Sequence, residues 1–509
     1  MSELGKFTIR PVGVYGVQRE SSIDSQLIPQ GGIVEAVNFN FDRIGAATVR
    51  PGMTRIGGTM SGIGGTIVAL YNAGGSAMLV ANYLGNVWAT PVEGLGSQTW
   101  AATTLNGSIK TRFVDLGDYV LGIPAGSPPT SRNMLVARYP YKNTLAASGG
   151  GSTGNPFNIN QFTGKAHASF GENYKSRIYL GGNIVKPNRL YFSSVIDSEG
   201  NISWNPDFDF VDVNPGDGDV MTGLKRFLLD LLVFKRNLIY RFRTTGLDPD
   251  PMIKVGTRNH ESIVEGKRGL YFHHLSGFYR HTGGVTPVEI SRPIADIVDA
   301  ITVDQAENIG GWRDNDHIYW SVGGNITVGG PRNSTIFKNV VFRYTESSEA
   351  WTVYEYPYAI GRGSAFVSNT VSSIAIGPNT PLTGGGLNSG FVAEFNRGTV
   401  DATISAPVSI NYRMITKWYE WGGTETRKFI EQIAIIAEKG MGMNVMYQVD
   451  EDDNWQTINP DLRKLVTIFT VPTKRFNRIR FKIAGVSKDE SAVFLGLDVI
   501  KGTNEGVIK

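Results

Sequence analysis

Hydrophobic positions along this chain come in short runs of four or five, and few stretches carry the period of an amphipathic helix. The commonest pattern is a short apolar strand, a turn, and a second strand bearing an aromatic residue. Met78-Leu79-Val80-Ala81 leads through Leu84-Gly85-Asn86 to Val87-Trp88. Leu231-Leu232-Val233-Phe234 leads through Lys235-Arg236-Asn237 to Ile239-Tyr240-Arg241, and Leu270-Tyr271-Phe272-His273 through Ser276-Gly277 to Phe278-Tyr279-Arg280. Each reads as a β-hairpin. Weaker copies begin near Tyr119, Ile178, Ile318 and Ile374, so the starts near 79, 119, 178, 232, 271, 318 and 374 lie 39 to 59 residues apart. That interval brackets the roughly 40–50 residue period of β-propeller blades, four-stranded sheets set around an axis. A propeller of six or seven blades is the expectation.

Before the repeats, Ile28-Pro29-Gln30-Gly31-Gly32 reads as a turn, Val37-Asn38-Phe39-Asn40-Phe41 as a strand, and Asp42-Arg43-Ile44-Gly45 as a turn. After them the pattern changes. Strands are predicted over 405–412, 428–437, 445–449, 465–471, 479–484 and 493–500, with Lys417-Trp418-Tyr419-Glu420-Trp421 between the first two and a hairpin turn at Asp450-Glu451-Asp452-Asp453-Asn454. Their alternation predicts a compact antiparallel sandwich. The expected organisation is an extended segment over 1–50 closing onto the propeller, a propeller over 51–402, and a β-sandwich accessory domain over 403–509. Within the propeller, residues 146–155 form a low-complexity Gly/Ser stretch expected to be a flexible loop, and Thr383 to Gly386 is a second glycine cluster.

Composition supports a mainly β class. The 62 glycines in 509 residues are about 12% of the chain, against an average near 7%, and 20 Tyr, 25 Phe and 9 Trp accompany them. Cysteine is absent, which excludes disulfides, thiolate zinc sites and a cysteine nucleophile. The net charge of +3 is not that of a protein gripping phosphates along a broad basic face. Local basic runs, Lys235-Arg236 with Arg241 and Arg243, and Lys474-Arg475 with Arg478, Arg480 and Lys482, read as solvated strand faces and turns. The first residues lack the apolar core of a signal peptide, and the most apolar run, Phe227 to Phe234, contains Asp230 and is too short to span a bilayer. A soluble protein with no membrane insertion is expected.

Catalytic motifs are missing. There is no phosphate-binding Gly-x-x-x-x-Gly-Lys loop, Gly62-Ile63-Gly64-Gly65 lacks dinucleotide spacing, and no nucleophile elbow occurs. The histidines are His167, His260, His273, His274, His281 and His317. Four residues after His260 stands Val264, so His260-Glu261 cannot open a helical zinc pair, and His273 and His274 point to opposite faces of a strand. The acidic groups Asp207, Asp209, Asp212, Asp217 and Asp219 read as solvated loop carboxylates. So do Asp450, Asp452 and Asn454, where Trp455 replaces the glycine a calcium loop needs and Asp461 its final glutamate. Ser198-Glu199-Gly200-Asn201-Ile202-Ser203-Trp204 has a partial likeness to the aspartate-box turn of sialidase blades, but the glycine is displaced and the motif is not repeated. No catalytic, cofactor-binding or metal-ligating residue is assigned, no cofactor is expected, and channel and interface residues are left unassigned.

Three stretches bear a resemblance. Asn38-Phe39-Asn40-Phe41-Asp42 with Gly45 and Arg50-Pro51-Gly52 resembles the opening of tail hub and nozzle proteins of short-tailed bacteriophages. So does Leu190-Tyr191-Phe192-Ser193 to Trp204-Asn205-Pro206, with Gly218-Asp219, Thr222-Gly223-Leu224, Leu232 to Arg236 and Ile239-Tyr240. Tyr271-Phe272, Gly277 to Arg280, Val288, Ile290-Ser291 and Ile294 continue it. The resemblance implies a non-enzymatic virion protein, assembled in the host cytoplasm as a ring of six copies below the portal and adaptor. Viral DNA would pass along the ring axis between subunits without sequence-specific binding, and other tail proteins such as fibres would be partners. Two alternatives stand beside it: a phage receptor- or glycan-binding propeller, and a propeller glycosidase.

Overall fold

The computed structural model describes residues 2–3, 7–9, 16–19, 28 and 32–60, the strands between 67 and 147, and residues 168–242, 250–329, 334–379 and 390–507, with brief interruptions. Among these residues the chain is almost wholly β, with two four-residue α-helices, Ala295–Val298 and Val303–Ala306. Of the low-complexity stretch, Ala146–Ala147 pairs with Leu135 and Val136; residues 148–155, like the glycine cluster at 383–386 and His167, lie outside the described residues.

Seven antiparallel sets of four strands follow one another. Each predicted hairpin start falls on the second strand of one set: Met78–Tyr83, Tyr119–Ala125, Arg177–Gly181, Asp230–Lys235, Leu270–His274, His317–Ser321 and Val371–Ile376. First strands pack on first strands, Ile67–Ala73 on Lys110–Asp115, that on Phe170–Tyr174, that on Met221–Phe227, and so on to Ser364–Ser368, which returns to Ile67–Ala73. At one place the first strand is only Val264–Glu265, and the 3-10 turn His260–Ser262 fills in, touching both Met221–Phe227 and Gly310–Asp314. The closed succession is that of a β-propeller, the class expected.

The second strands show why their sequence is a continuous apolar run. Side chains of a strand alternate faces, and here both faces are covered by neighbouring sets. Leu231 and Val233 pack with Phe170, Tyr179 and Leu190 of the preceding set, while Leu232 and Phe234 pack with Ile263, Leu270 and Phe272 of the following one.

The outermost strand of the last set comes from the other end of the chain. Gly390–Glu394 pairs with Thr54–Met60, with Val392 opposite Ile56 and Glu394 opposite Thr54. Residues 33–49, expected to close onto the propeller, take part in two sheets. Ile33–Val37 lies between Ala350–Tyr354 of the sixth set and Asn411–Thr416, extending that set into a nine-stranded sheet through Ile479–Val486, Met443–Val449 and Gln456–Thr457. Phe39–Asn40 and Ala47–Val49 belong to a second sheet with Val493–Val507, Thr426–Glu438 and Val466–Thr470. The predicted single strand over 37–41 is broken at Asn38, which has φ +61°. That left-handed step, tolerated by asparagine, turns the chain from one sheet into the other.

One hydrophobic core runs through ring and C-terminal strands. It joins Phe278, Trp320, Phe342 and Trp351 to Tyr412, Ile433, Ile483 and Leu497. Phe278 meets Trp320 at 4.5 Å between centroids, and Trp320 stacks on Trp351 at 5.8 Å.

Beside that core sits Arg50, fully buried. Its Nε donates to Asn38 Oδ1 (2.8 Å), Nη1 to Asp401 Oδ1 (2.9 Å) and the Pro51 carbonyl (2.9 Å), and Nη2 to Asp401 Oδ2 (2.6 Å) and the Glu355 carbonyl (2.9 Å). Its guanidinium also lies 4.0 Å from the Tyr356 ring centroid. Gly52 follows because a Cβ there would stand 2.0 Å from the Val400 carbonyl oxygen. Replacing Arg50 with Met leaves the Asp401 carboxylate buried and unpaired, so the unfolding free energy should fall by about 3–5 kcal/mol, read as a lower denaturant midpoint. Adding Asp401→Leu should recover part of the loss, since no orphaned charge remains. Unchanged stability in Arg50→Met would remove Arg50 as the fastening of this joint.

Candidate functional site

The first strands surround a cavity of 690 Å³ on the ring axis. Its lining includes Arg112, Glu172, Lys225, Arg226, His260, Glu265, Arg313 and Arg362. Lys225 reaches Glu172 at 3.4 Å, and Arg112 reaches the buried Glu261 at 3.2 Å while donating to Asn259 Oδ1 (3.1 Å) and the Ser169 carbonyl (2.7 Å). Arg226 stands exposed in the cavity. The Nε of Arg362 is buried without a hydrogen-bond partner. His260 accepts from the Leu224 N–H through Nδ1 (3.3 Å) and stacks on Phe170. Burial, and then the charges of Arg112, Arg362 and Lys225, hold its imidazole well below the usual range. It is therefore neutral, and because Nδ1 accepts, the proton sits on Nε2.

The acidic groups singled out in the sequence are fastenings. Asp212 forms a two-pronged pair with Arg189 at 2.8 and 2.9 Å. Asp217 accepts from Lys235 Nζ (2.6 Å) and the Tyr240 hydroxyl (2.7 Å). Desolvation alone would raise its pKa, but these donors hold it below the ordinary carboxylate range. Asp219 takes the N–H groups of Arg236 (3.3 Å) and Asn237 (2.8 Å), closing the hairpin turn, and Asp209 accepts from the Asn205 N–H (3.1 Å). Asp450 holds the N–H groups of Asn477 and Arg478 at 2.8 and 3.0 Å. Among the described residues no three His, Asp or Glu side chains come together as metal ligands.

One expectation about charge is corrected. Lys235 is not solvated: it is fully buried, and Asp217 and the Asn214 carbonyl compensate it. The second basic run does lie on a strand face, where Arg478 and Arg480 cover Trp418 at 4.8 and 4.4 Å, and Arg480 and Lys482 cover Trp455 at 5.2 and 5.6 Å. Of the histidines, His273 and His281 are buried, and His274 beside His273 is half-exposed, on the opposite face as predicted. His317 meets Arg343 through Nε2 at 2.8 Å.

The cavity arginines escaped notice because no local motif gathers them. A signal was present: Glu172, Arg226, Glu265 and Arg313 each stand five or six residues ahead of the hairpin starts Ile178, Leu231, Leu270 and Ile318. A charge at a fixed offset in successive repeats marks one level of a common axis.

No protein-family model and no curated protein matches this chain. Solved structures with a similar course include the β-propeller domain of Cps50 (Swd1) from Myceliophteria thermophila, 8% identical, with a TM-score of 0.39 over 67% of this chain and 99% of that one. Saccharomyces cerevisiae Sqt1 is 8% identical, with a TM-score of 0.40 over 68% and 100%. The AfRom2 CNH domain is 9% identical, with a TM-score of 0.39 over 67% and 98%. Likeness at this level says nothing of function, and the architecture rests on the strand pairing itself. Among the described residues no helix is long and apolar enough to cross a membrane.

Burial lowers the pKa of His273 to about 3 and that of His281 to about 4, against about 6.5 in an unfolded chain. Above pH 6.5 both states are neutral there, and these groups do not alter stability. As pH falls from 6.5 toward 4, the unfolded chain binds protons that the folded chain refuses, so stability falls. Each group contributes a slope of at most about 1.4 kcal/mol per pH unit in that window. Denaturation midpoints at pH 7.5 and 5 should therefore differ, and His273→Leu should narrow the gap. An unaltered gap would show that His273 is not among the groups responsible.

Proposed function

We propose that this chain is a structural part of a bacteriophage tail, a hub or nozzle subunit of the kind its sequence resembles. The subunit is a seven-bladed propeller whose last blade is completed by Thr54–Met60, carrying a C-terminal β-sandwich on its sixth blade. Subunits associate in a ring, with six copies the expected number, and the ring continues the DNA channel below the portal and adaptor. The observation that carries this reading is mechanical. The nine-stranded sheet and one hydrophobic core pass without interruption from blade to sandwich, which suits a part that transmits load and has no hinge to open. The residues of the resemblance fall on its joints: Asn38 turns between sheets, Asp42 pairs with the buried Arg343 at 2.5 Å, and Arg50 and Gly52 close the seam.

Two features weigh against the alternatives. The carboxylates of the acidic loop are engaged by Arg189, Lys235, Tyr240 and backbone N–H groups, so they do not form the pair of free carboxyls a glycosidase needs. Trp418 and Trp455, the kind of ring a sugar stacks on, carry cations on their faces. The axial cavity of the single subunit is far too small for duplex DNA, so the duplex passes between subunits, on the axis of the ring.

Negative-stain electron microscopy of the purified protein at high concentration should give closed rings whose lumen admits duplex DNA. The same preparation should neither retain nor cleave host surface polysaccharide. Monomers or trimers without a lumen, together with glycan retention or turnover, would replace the conduit with a receptor-binding or hydrolytic propeller.

A further inference from the structure

Five cations line the axial cavity, Arg112, Lys225, Arg226, Arg313 and Arg362, against two carboxylates, Glu172 and Glu265. Counting Glu261 behind Arg112 and the buried Glu346, which Arg313 reaches at 4.0 Å, five cations face four carboxylates. Glu172 is spent on Lys225 and Glu261 on Arg112. Arg226 and Arg362 form no ion pair with any carboxylate among the described residues, and the Nε of Arg362 is buried without an acceptor. Cations left uncompensated in a partly enclosed space are costly, and an entering anion relieves that cost.

The cations lie at two heights. Arg362 runs alongside Gly310, where a Cβ would come within 3.0 Å of the Arg362 Cα. Arg313 is three residues farther along the same strand, a rise of about 10 Å. Arg226 and Arg313 are each next to last in their strands, Met221–Phe227 and Gly310–Asp314, and so belong to the same end. The other level holds Arg362, Arg112 and His260, whose Nε2–H adds a neutral donor because Nδ1 already accepts from Leu224. The two levels are about 10 Å apart along the backbone, so an anion with several charged groups in line is suited to reach both. Guanidinium groups match the oxygens of phosphate in pairs.

We propose that the axial cavity binds a small linear polyphosphate, inorganic or carried by an organic molecule, held by Arg362, Arg112 and His260 at one level and by Arg226 and Arg313 at the other. The site is internal to one subunit, so the proposal stands whether or not subunits form rings.

The test is calorimetric titration of the full chain with tripolyphosphate, with inorganic phosphate, citrate and a nucleoside triphosphate as separate arms. Tripolyphosphate should bind saturably with a stoichiometry of one. Inorganic phosphate should bind at least about tenfold more weakly, since it reaches one level only and each charge-assisted hydrogen bond it fails to make weakens binding by about that factor. Arg362→Gln and the exposed Arg226→Gln should each weaken tripolyphosphate by about tenfold or more. Arg397→Gln, a surface position outside the cavity, should leave it unchanged, and circular dichroism should report the same β content in all three. Nucleoside triphosphate binding much more tightly than tripolyphosphate would identify the organic source, and equal binding the inorganic one. The proposal falls if wild-type protein gives no saturable binding, if Arg397→Gln weakens it as much as the cavity variants do, or if phosphate or citrate binds as tightly as tripolyphosphate.

Discussion

Arg50 offers five N–H donors and meets five acceptors without water. Those acceptors come from four separated places: the corner at Asn38, the start of the closing strand at Pro51, the end of the sixth set at Glu355, and the segment after the seventh set at Asp401. A ring of sheets built from one chain must bring its two ends together somewhere, and this is where it does so. Removing a guanidinium from water costs several kcal/mol, recovered only when charge and every donor are met. The demand for all five acceptors therefore specifies the geometry of the seam more tightly than hydrophobic contact could. Asn38 supports it from both sides, taking the Glu355 N–H on the same oxygen that accepts from Arg50 and donating to the Asn411 carbonyl at 2.6 Å. One side chain thus ties ring closure to the first strand of the C-terminal unit.

From that seam a line of ion pairs continues outward. Arg413 takes both oxygens of Glu355 at 2.9 and 3.1 Å and Glu35 at 2.5 Å, and Arg19 joins Glu35 to Asp296 at 2.9 Å each. These groups are partly screened, so their contribution lies more in register than in energy. They fix which residue of Ile33–Val37 stands opposite which residue of Asn411–Thr416. A slip of one residue would send every side chain of the strand to the opposite face and separate Glu35 from Arg413 and Arg19.

The sequence was most legible where local chemistry and global fold agree. The hairpins were readable because two apolar strands and a turn are contiguous, and each apolar run is required by two neighbouring sets, as Leu231 to Phe234 shows. What could not be read was pairing over long separations. Nothing local distinguishes Thr54–Met60 as a partner of Gly390–Glu394, or Ile33–Val37 as a bridge between Ala350–Tyr354 and Asn411–Thr416. The 37–41 segment read as one strand because its alternation continues through Asn38, and only the change of sheet reveals the break. Lys235 misled for a related reason. Its counter-charge, Asp217, is 18 residues away in the preceding loop, and a charge run in sequence carries no sign of a partner brought in by folding. The axial cavity lies at the far limit of legibility, since its side chains come one or two per repeat.

The placement of charge divides the molecule into two regimes. At the seam and in the acidic loop, every buried charge meets an opposite charge or a full set of hydrogen bonds, and the result is fixed geometry. On the axis that rule is relaxed: among the described residues, Arg226 and Arg362 stand without a carboxylate to neutralise them. Sheets as well packed as these can carry such an excess, because their stability comes from the aromatic and aliphatic layers between sets and not from the axis. A rigid frame with uncompensated charge at its centre is preorganised, in that binding an anion requires no rearrangement of the wall and costs little ordering entropy. The same rigidity that would serve the proposed mechanical role would also set the axial contacts before the proposed ligand arrives.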